Sequence, residues 1–308
     1  MKKLMIAAGV ASMSFALFAA DAKKSENVKP VETEQAPAPI FWGFANYGLY
    51  SGYQLYGSLL NNEPTLQGYA ELNANLSIDD LDLGYFGAGI WSNTDLTRRR
   101  SGSSANCGVN SDGIGDAFNE WDFNLHWGRT FWFDDERTWG LGYRASVVWY
   151  YYPGKYYSRI QPGTDTTFDF NHYFELVNPY LIPYLNVVHE YRFDANLLQF
   201  GVKKPFQVTD QFSLCPFIEF VARPESHYNW CMPTRIGTVD TCAGMATLKV
   251  ELDATYMFTK NFGMFAKVAY CSIIDHHMRN TCDDILASDE YGENKDFAWG
   301  GVGICVNF

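Results

Sequence analysis

Two short stretches carry ionisable residues at a spacing of two. LKVELD (248–253) sets Lys249, Glu251 and Asp253 on alternate positions, and NEWDFNLHW (119–127) keeps Glu120, Asp122 and, four further on, His126 on one parity. In an extended chain that spacing gathers the charges on one side and leaves Leu248, Val250, Leu252, Trp121, Phe123, Leu125 and Trp127 on the other. The same parity puts Glu71, Arg144, Glu219 and Lys267 on the polar side of their own segments. If those sides line one interior, charges of both signs create a transverse field that orients and selects solutes. Salt bridges among them that fill and brace a closed interior are the competing outcome. The reading taken is a narrow, water-filled channel, somewhat cation-preferring.

Other residues offer weaker chemistry. NSDGIGDAFNE (110–120) brings together Asn110, Asp112, Asp116 and Glu120, and CDDILASDEYGENKD (282–296) contains Asp283, Asp284, Asp289, Glu290 and Glu293. Carboxylates suit divalent cations such as Ca²⁺ or Mg²⁺. The first stretch departs from an EF-hand loop, with Ile114 where an oxygen ligand belongs, so both are read as solvated loops, no resident metal is assigned and no cofactor is expected. Of seven cysteines, Cys231 and Cys242 fall in one predicted loop and Cys271 and Cys282 flank another, which makes two local disulfides candidates in an oxidising compartment. Cys107, Cys215 and Cys305 remain, and connectivity cannot be read from spacing. Asp275-His276-His277 follows a predicted strand, but no G-x-S-x-G accompanies it and no serine stands out as its nucleophile, so no catalytic residue is assigned and the chain is read as a non-enzyme.

The elements that must carry the charges are strands. PTLQGYAELNANLSI (64–78), FNEWDFNLHWGRTFW (118–132), TWGLGYRASVVWYYY (138–152), MATLKVELDATYMF (245–258) and WGGVGICVNF (299–308) all separate apolar from polar residues at period two. These alternations run for about 12–15 residues, beyond the ~5–6 of a typical soluble strand and enough to cross a bilayer at a tilt. Strands are placed near 41–56, 65–78, 82–94, 118–132, 138–152, 171–178, 180–192, 196–205, 209–222, 244–258, 260–274 and 296–308. Short turns then alternate with longer connections, as in outer-membrane barrels. Pro179 and Pro183 strain the pattern, and a count of 10 or 14 strands stays open. Hydrocarbon offers backbone N–H and C=O groups no partner, so the strands must close. The fold class is all-β: a closed antiparallel transmembrane up-and-down β-barrel of about 12 strands. Aromatics near strand ends, among them Trp132, Trp139, Tyr150, Tyr151 and Tyr152, are placed in the two interfacial girdles.

Composition bounds the class. Of 308 residues 47% are hydrophobic and 17% aromatic, including 20 Tyr, 23 Phe and 9 Trp, which suits pleated surfaces and excludes a disordered chain. Lys2 and Lys3, the apolar run Leu4 to Ala19 and the small-x-small site Ala20-Asp21-Ala22 read as a signal peptide over 1–22. Residues 23–40, rich in Lys, Glu and Pro, read as a flexible periplasmic leader, and 41–308 as the barrel. The net charge of −12 argues against nucleic acid as a partner, with Arg98-Arg99-Arg100 the sole basic run.

The sequence also carries a resemblance. A final Phe308 on an alternating strand looks like the signal that bacterial outer-membrane barrels present to the barrel assembly machinery. EPTLQGYAEL (63–72), GAGIWSN (87–93), WYYYPG (149–154) and WGGVGICVNF resemble the TorF-like family of bacterial porins. That resemblance implies passive diffusion of small hydrophilic solutes, and the barrel itself is read as an integral protein of the bacterial outer membrane, in contact with its lipid, as monomer or trimer. A closed-lumen surface or adhesion barrel and a barrel hydrolase are the alternatives.

Overall fold

The computed structural model describes residues 40–55, 58–61, 64–78, 81–96, 119–151, 166–191, 195–223, 244–274 and 296–308. The stretches read as signal peptide and leader, 1–22 and 23–40, lie outside these residues except for Ile40. Among them every regular element is a strand, and no helix is long and apolar enough to cross a membrane. In chain order the strands are β1 (Phe41–Tyr50), β2 (Tyr53–Leu55), β3 (Ser58–Asn61), β4 (Thr65–Ile78), β5 (Leu81–Asp95), β6 (Asn119–Trp132), β7 (Gly140–Tyr151), β8 (Thr166–Val177), β9 (Ile182–Glu190), β10 (Ala195–Lys203), β11 (Phe206–Gln207), β12 (Phe212–Arg223), β13 (Gly244–Met257), β14 (Phe262–Ile273) and β15 (Asp296–Asn307).

Twelve of them form a closed antiparallel ring: β10-β9-β8-β7-β6-β5-β4-β1-β15-β14-β13-β12, with β12 returning to β10. The ring has no long free edge, which satisfies its backbone groups without water. β11 is a two-residue addition to β12, and β2 and β3 pair only with each other. The first and last barrel strands meet along Phe44↔Asn307 to Tyr50↔Gly301, and Phe308 extends the seam. Its N–H donates to Gly43 O at 3.0 Å, and Gly43 N–H donates to Phe308 O at 2.8 Å.

The twelve-strand count matches the period-two reading, with differences at the ends. β8 begins at Thr166 rather than 171, because Thr167 and Asp169 alternate with the outward Phe168 and Phe170 in a stretch whose Gly, Thr and Asp content reads as loop. Pro183 is accommodated near the start of β9, exposed, opposite Val202. Pro179 lies in the turn after β8.

Four of the turns at one end are built by a polar side chain accepting backbone N–H groups. Asp134 accepts from Thr138 N and Trp139 N at 2.6 and 3.0 Å, and Asn178 from Tyr180 N and Leu181 N at 2.9 and 3.0 Å. The hydroxyls of Thr209 and Thr259 accept from Phe212 N and Phe262 N, each at 3.0 Å. The opposite end carries the longer connections. These are called the turn end and the loop end below.

Alternation decides which side faces out. Leu125 is 56% exposed and its neighbour His126 2%; Val250 is 45% exposed and Lys249 2%. Leu72, Phe123, Phe170, Leu185, Ile218, Val268, Val302 and Ile304 continue the outer surface as an apolar belt, the surface a bilayer requires. Tyr150 corrects the girdle placement: at 1% exposure it faces inward, while Trp149 and Tyr151 on either side face out. Tyr152 lies outside the described residues.

Candidate functional site

The inner surface of the barrel is the candidate site. β4, β6, β7, β12, β13 and β14 place Glu71, Glu120, Asp122, His126, Arg144, Glu219, Lys249, Glu251, Asp253 and Lys267 on the inner side, with side chains at or below one-tenth exposure. These residues fall into two linked groups and an acidic zone.

Glu71 is the hub of the first group. Its Oε2 accepts from Arg144 Nη2 at 2.9 Å and from the Tyr69 hydroxyl at 2.5 Å, and its Oε1 accepts from Asn73 Nδ2 at 2.8 Å. His126 Nε2 stands 2.7 Å from Asn73 Oδ1 and 3.6 Å from Glu71 Oε1. His126 Nδ1 stands 2.8 Å from Asn124 Oδ1, so each ring nitrogen faces an amide oxygen and the ring is clamped between β4 and its own strand. Space for these side chains comes from β5: a Cβ at Gly87 would stand 2.1 Å from Asn73 Oδ1 and 2.3 Å from His126 Nε2.

The second group runs along β8 to β14. Lys203 Nζ donates to Glu175 at 2.8 Å and to the Tyr173 hydroxyl at 3.1 Å. Glu219 accepts from the Tyr184 hydroxyl at 2.9 Å and from Gln199 Nε2 at 3.0 Å. Lys249 then bridges Glu219 (3.2 Å) to Glu251 (3.5 Å), and Lys267 bridges Glu251 (3.4 Å) to Asp253 (3.5 Å). Each of these lysines also lies over an aromatic face: Lys249 over Phe217 at 4.8 Å, Lys203 over Tyr173 at 5.6 Å and Lys267 over Trp299 at 6.0 Å.

The acidic zone lies at the loop end, where Glu120, Asp122 and Asp169 project from β6 and β8. Glu120 was also a candidate loop ligand for a divalent cation; it sits inside the barrel on β6, where the Tyr53 hydroxyl donates to it at 2.9 Å. Its companions Asn110, Asp112 and Asp116, and the carboxylates of 283–293, lie outside the described residues. Among the described residues no group of three or more His, Cys, Asp or Glu is arranged to hold a metal ion.

Sequence reasoning missed Asp169, Glu175, Lys203, Tyr184 and the lumen-side aromatics. Asp169 fell in a stretch assigned to a loop. Lys203 was findable, since Gln199, Gly201 and Lys203 alternate with Leu198, Phe200 and Val202 in LLQFGVK. On the inner wall of β14, β15 and β1, Tyr50, Phe297 and Trp299 pack with Ala269 and Cys271, and Tyr50 stacks on Trp299 at 5.4 Å between centroids. Cys271 is thus buried inside the barrel wall. Cys231, Cys242, Cys282, His276 and His277 lie outside the described residues. Phe308 is 57% exposed on the outer side of the seam.

No family model and no curated protein matches the chain. Among solved structures, it is similar to an outer-membrane channel from Pseudomonas putida F1, with 11% identity over 92% of this chain and 100% of that one and a TM-score of 0.48. It is also similar to outer membrane phospholipase A from Escherichia coli (12% identity, 86% and 92% covered, TM-score 0.42) and to the KdgM porin (9% identity, 86% and 99% covered, TM-score 0.40). Closure of twelve antiparallel strands under a continuous apolar belt makes the chain an integral β-barrel of the outer membrane, in contact with its lipid.

Proposed function

We propose that the barrel is a porin-like channel for passive diffusion of small hydrophilic solutes, weakly cation-preferring. One observation carries the reading: polar and ionised side chains occupy the inner wall from the acidic zone at the loop end to the Lys203–Glu175 pair at the turn end. A barrel whose interior served packing alone would be filled at lower cost by apolar side chains, since each buried charge must recover its hydration from partners. Among the described inner-wall residues, the carboxylates Glu71, Glu120, Asp122, Asp169, Glu175, Glu219, Glu251 and Asp253 outnumber the permanent cations Arg144, Lys203, Lys249 and Lys267, and that composition supports cation preference. The resemblance to TorF-like porins agrees with it, and Phe308, paired at the seam, suits the role of signal to the barrel assembly machinery.

Planar-bilayer recording tests the proposal. Purified, refolded protein is expected to give discrete conductance steps, with a reversal potential on the cation side in a salt gradient. Complete absence of steps would count against a channel. Asp122→Asn combined with Asp169→Asn is expected to move the cation-to-anion permeability ratio toward unity, because it neutralises acids at the loop-end entrance without changing side-chain volume. An unchanged ratio would remove those two residues from selectivity.

The chain of buried ion pairs from Glu219 to Asp253 favours a second reading, a surface barrel with a closed lumen. Liposome swelling separates the two, since a closed barrel admits no sugar.

A further inference from the structure

After β1 the chain turns into the barrel at residues 51–53 rather than out of it. Ser51 is still held on the wall: its N–H donates to Gly300 O at 2.8 Å and its hydroxyl accepts from Gly300 N at 3.1 Å. At Gly52 the chain leaves the wall. Gly52 O accepts from Trp299 Nε1 at 2.9 Å and from Gln67 Nε2 and Thr65 Oγ1 at 3.4 Å, and all three donors are inward-facing side chains. Tyr53 follows with no exposed surface, its ring 5.6 Å from that of Trp91 and its hydroxyl donating to Glu120 Oε2 at 2.9 Å. Trp299 stands on β15 and Glu120 on β6, so these two contacts span five adjacent strands, β15-β1-β4-β5-β6, of the twelve. β2 and β3 then pair as a hairpin whose β3 lies against β14. A connection running out into water would neither bury a tyrosine completely nor draw three lumen-side donors to one carbonyl.

We propose that the β2–β3 hairpin is the constriction of the channel, with Tyr53 as the residue that latches it to the wall through Glu120 and so sets the largest solute that passes. The solute limit rests on the channel reading, whereas the latch is a property of the fold. Phenylalanine at 53 keeps the ring against Trp91 and deletes only the hydroxyl.

The test compares Tyr53→Phe, Glu120→Ala and the double variant with the parent, using refolded full-length protein that retains heat-modifiable migration. Two readouts are taken: chymotrypsin clipping within 53–60, and swelling of liposomes in sugars of increasing size. Both single variants are expected to speed clipping about tenfold, the factor that follows from removing one hydrogen bond to a charged group. The double variant is expected to add little to the faster single variant, since each change already removes the Tyr53–Glu120 hydrogen bond. Larger sugars are expected to enter the variants than the parent. Clipping at the parental rate in both single variants would overturn the latch, and so would fully additive acceleration. Faster clipping without any sugar entry in parent or variants would uphold the latch and bring down the channel reading. Faster clipping with an unchanged size limit would uphold the latch and overturn the constriction. Should Tyr53→Phe fail to refold, Glu120→Ala decides on its own, because it leaves the hairpin sequence intact.

Discussion

Replacing Arg144 by Met is expected to lower the stability of the folded barrel by about 3–5 kcal/mol, the usual cost of breaking a buried ion pair from one side. Arg144 Nη2 lies 2.9 Å from Glu71 Oε2, and the two side chains are 5% and 0% exposed. Removing the guanidinium leaves Glu71 with the Tyr69 hydroxyl and Asn73 as its neutral donors, which cannot cancel a full charge. The double variant Arg144→Met with Glu71→Gln is expected to recover most of the loss, since Gln keeps an oxygen for those two donors and carries no charge. Unfolding in denaturant, followed by the heat-modifiable band or by tryptophan fluorescence, measures both. The size of the effect also bears on function. A cost below about 1 kcal/mol would mean that water reaches Glu71 well enough to replace its partner, as it does for exposed pairs, and would favour an open lumen.

Replacing Gly303 by Val is expected to abolish the folded, heat-modifiable form. Gly303 pairs with Gly48 across the seam between β15 and β1. A Cβ there would stand 2.3 Å from Tyr47 O and 2.6 Å from Gly48 Cα, both backbone atoms of the closing strand. Backbone can yield only by moving the strand, and the strand in question is the one whose pairing closes the ring. Gly301 makes the contrast. Its Cβ would meet the Tyr50 ring at 2.2 Å, a side chain that can swing aside, so Gly301→Ala is expected to fold with a loss of about 1–3 kcal/mol. Refolding yield by gel mobility compares them; equal yields for the two variants would show that the seam tolerates a shift that its geometry denies.

Much of the architecture was legible because period two is a property of the chain itself. Once a segment is extended, the side on which Lys249, Glu251 and Asp253 stand follows from their spacing, and so does the outward position of Val250 and Leu252. Lengths of about 12–15 residues point to a bilayer, and the alternation of long and short connections agrees with the twelve strands placed by period two. Errors appeared where parity met competing signals. The start of β8 is short of apolar residues, with Thr166, Thr167 and Asp169 among its first four, and Tyr150 stands near a strand end while its even position turns it inward.

Period-two alternation sets the barrel, its membrane-facing side and which charges turn inward, because it acts residue by residue and needs no knowledge of neighbours. Which residues meet is a matter of register and closure. Glu71 with Arg144, Glu219 with Lys249 and Tyr53 with Glu120 are separated by 73, 30 and 67 residues and belong to different strands. Such meetings depend on register and on closure, which add up the pairing of every strand in the ring. The inward turn at Gly52 depends on them too, since its three donors come from β4 and β15 and reach one carbonyl only after the seam has formed.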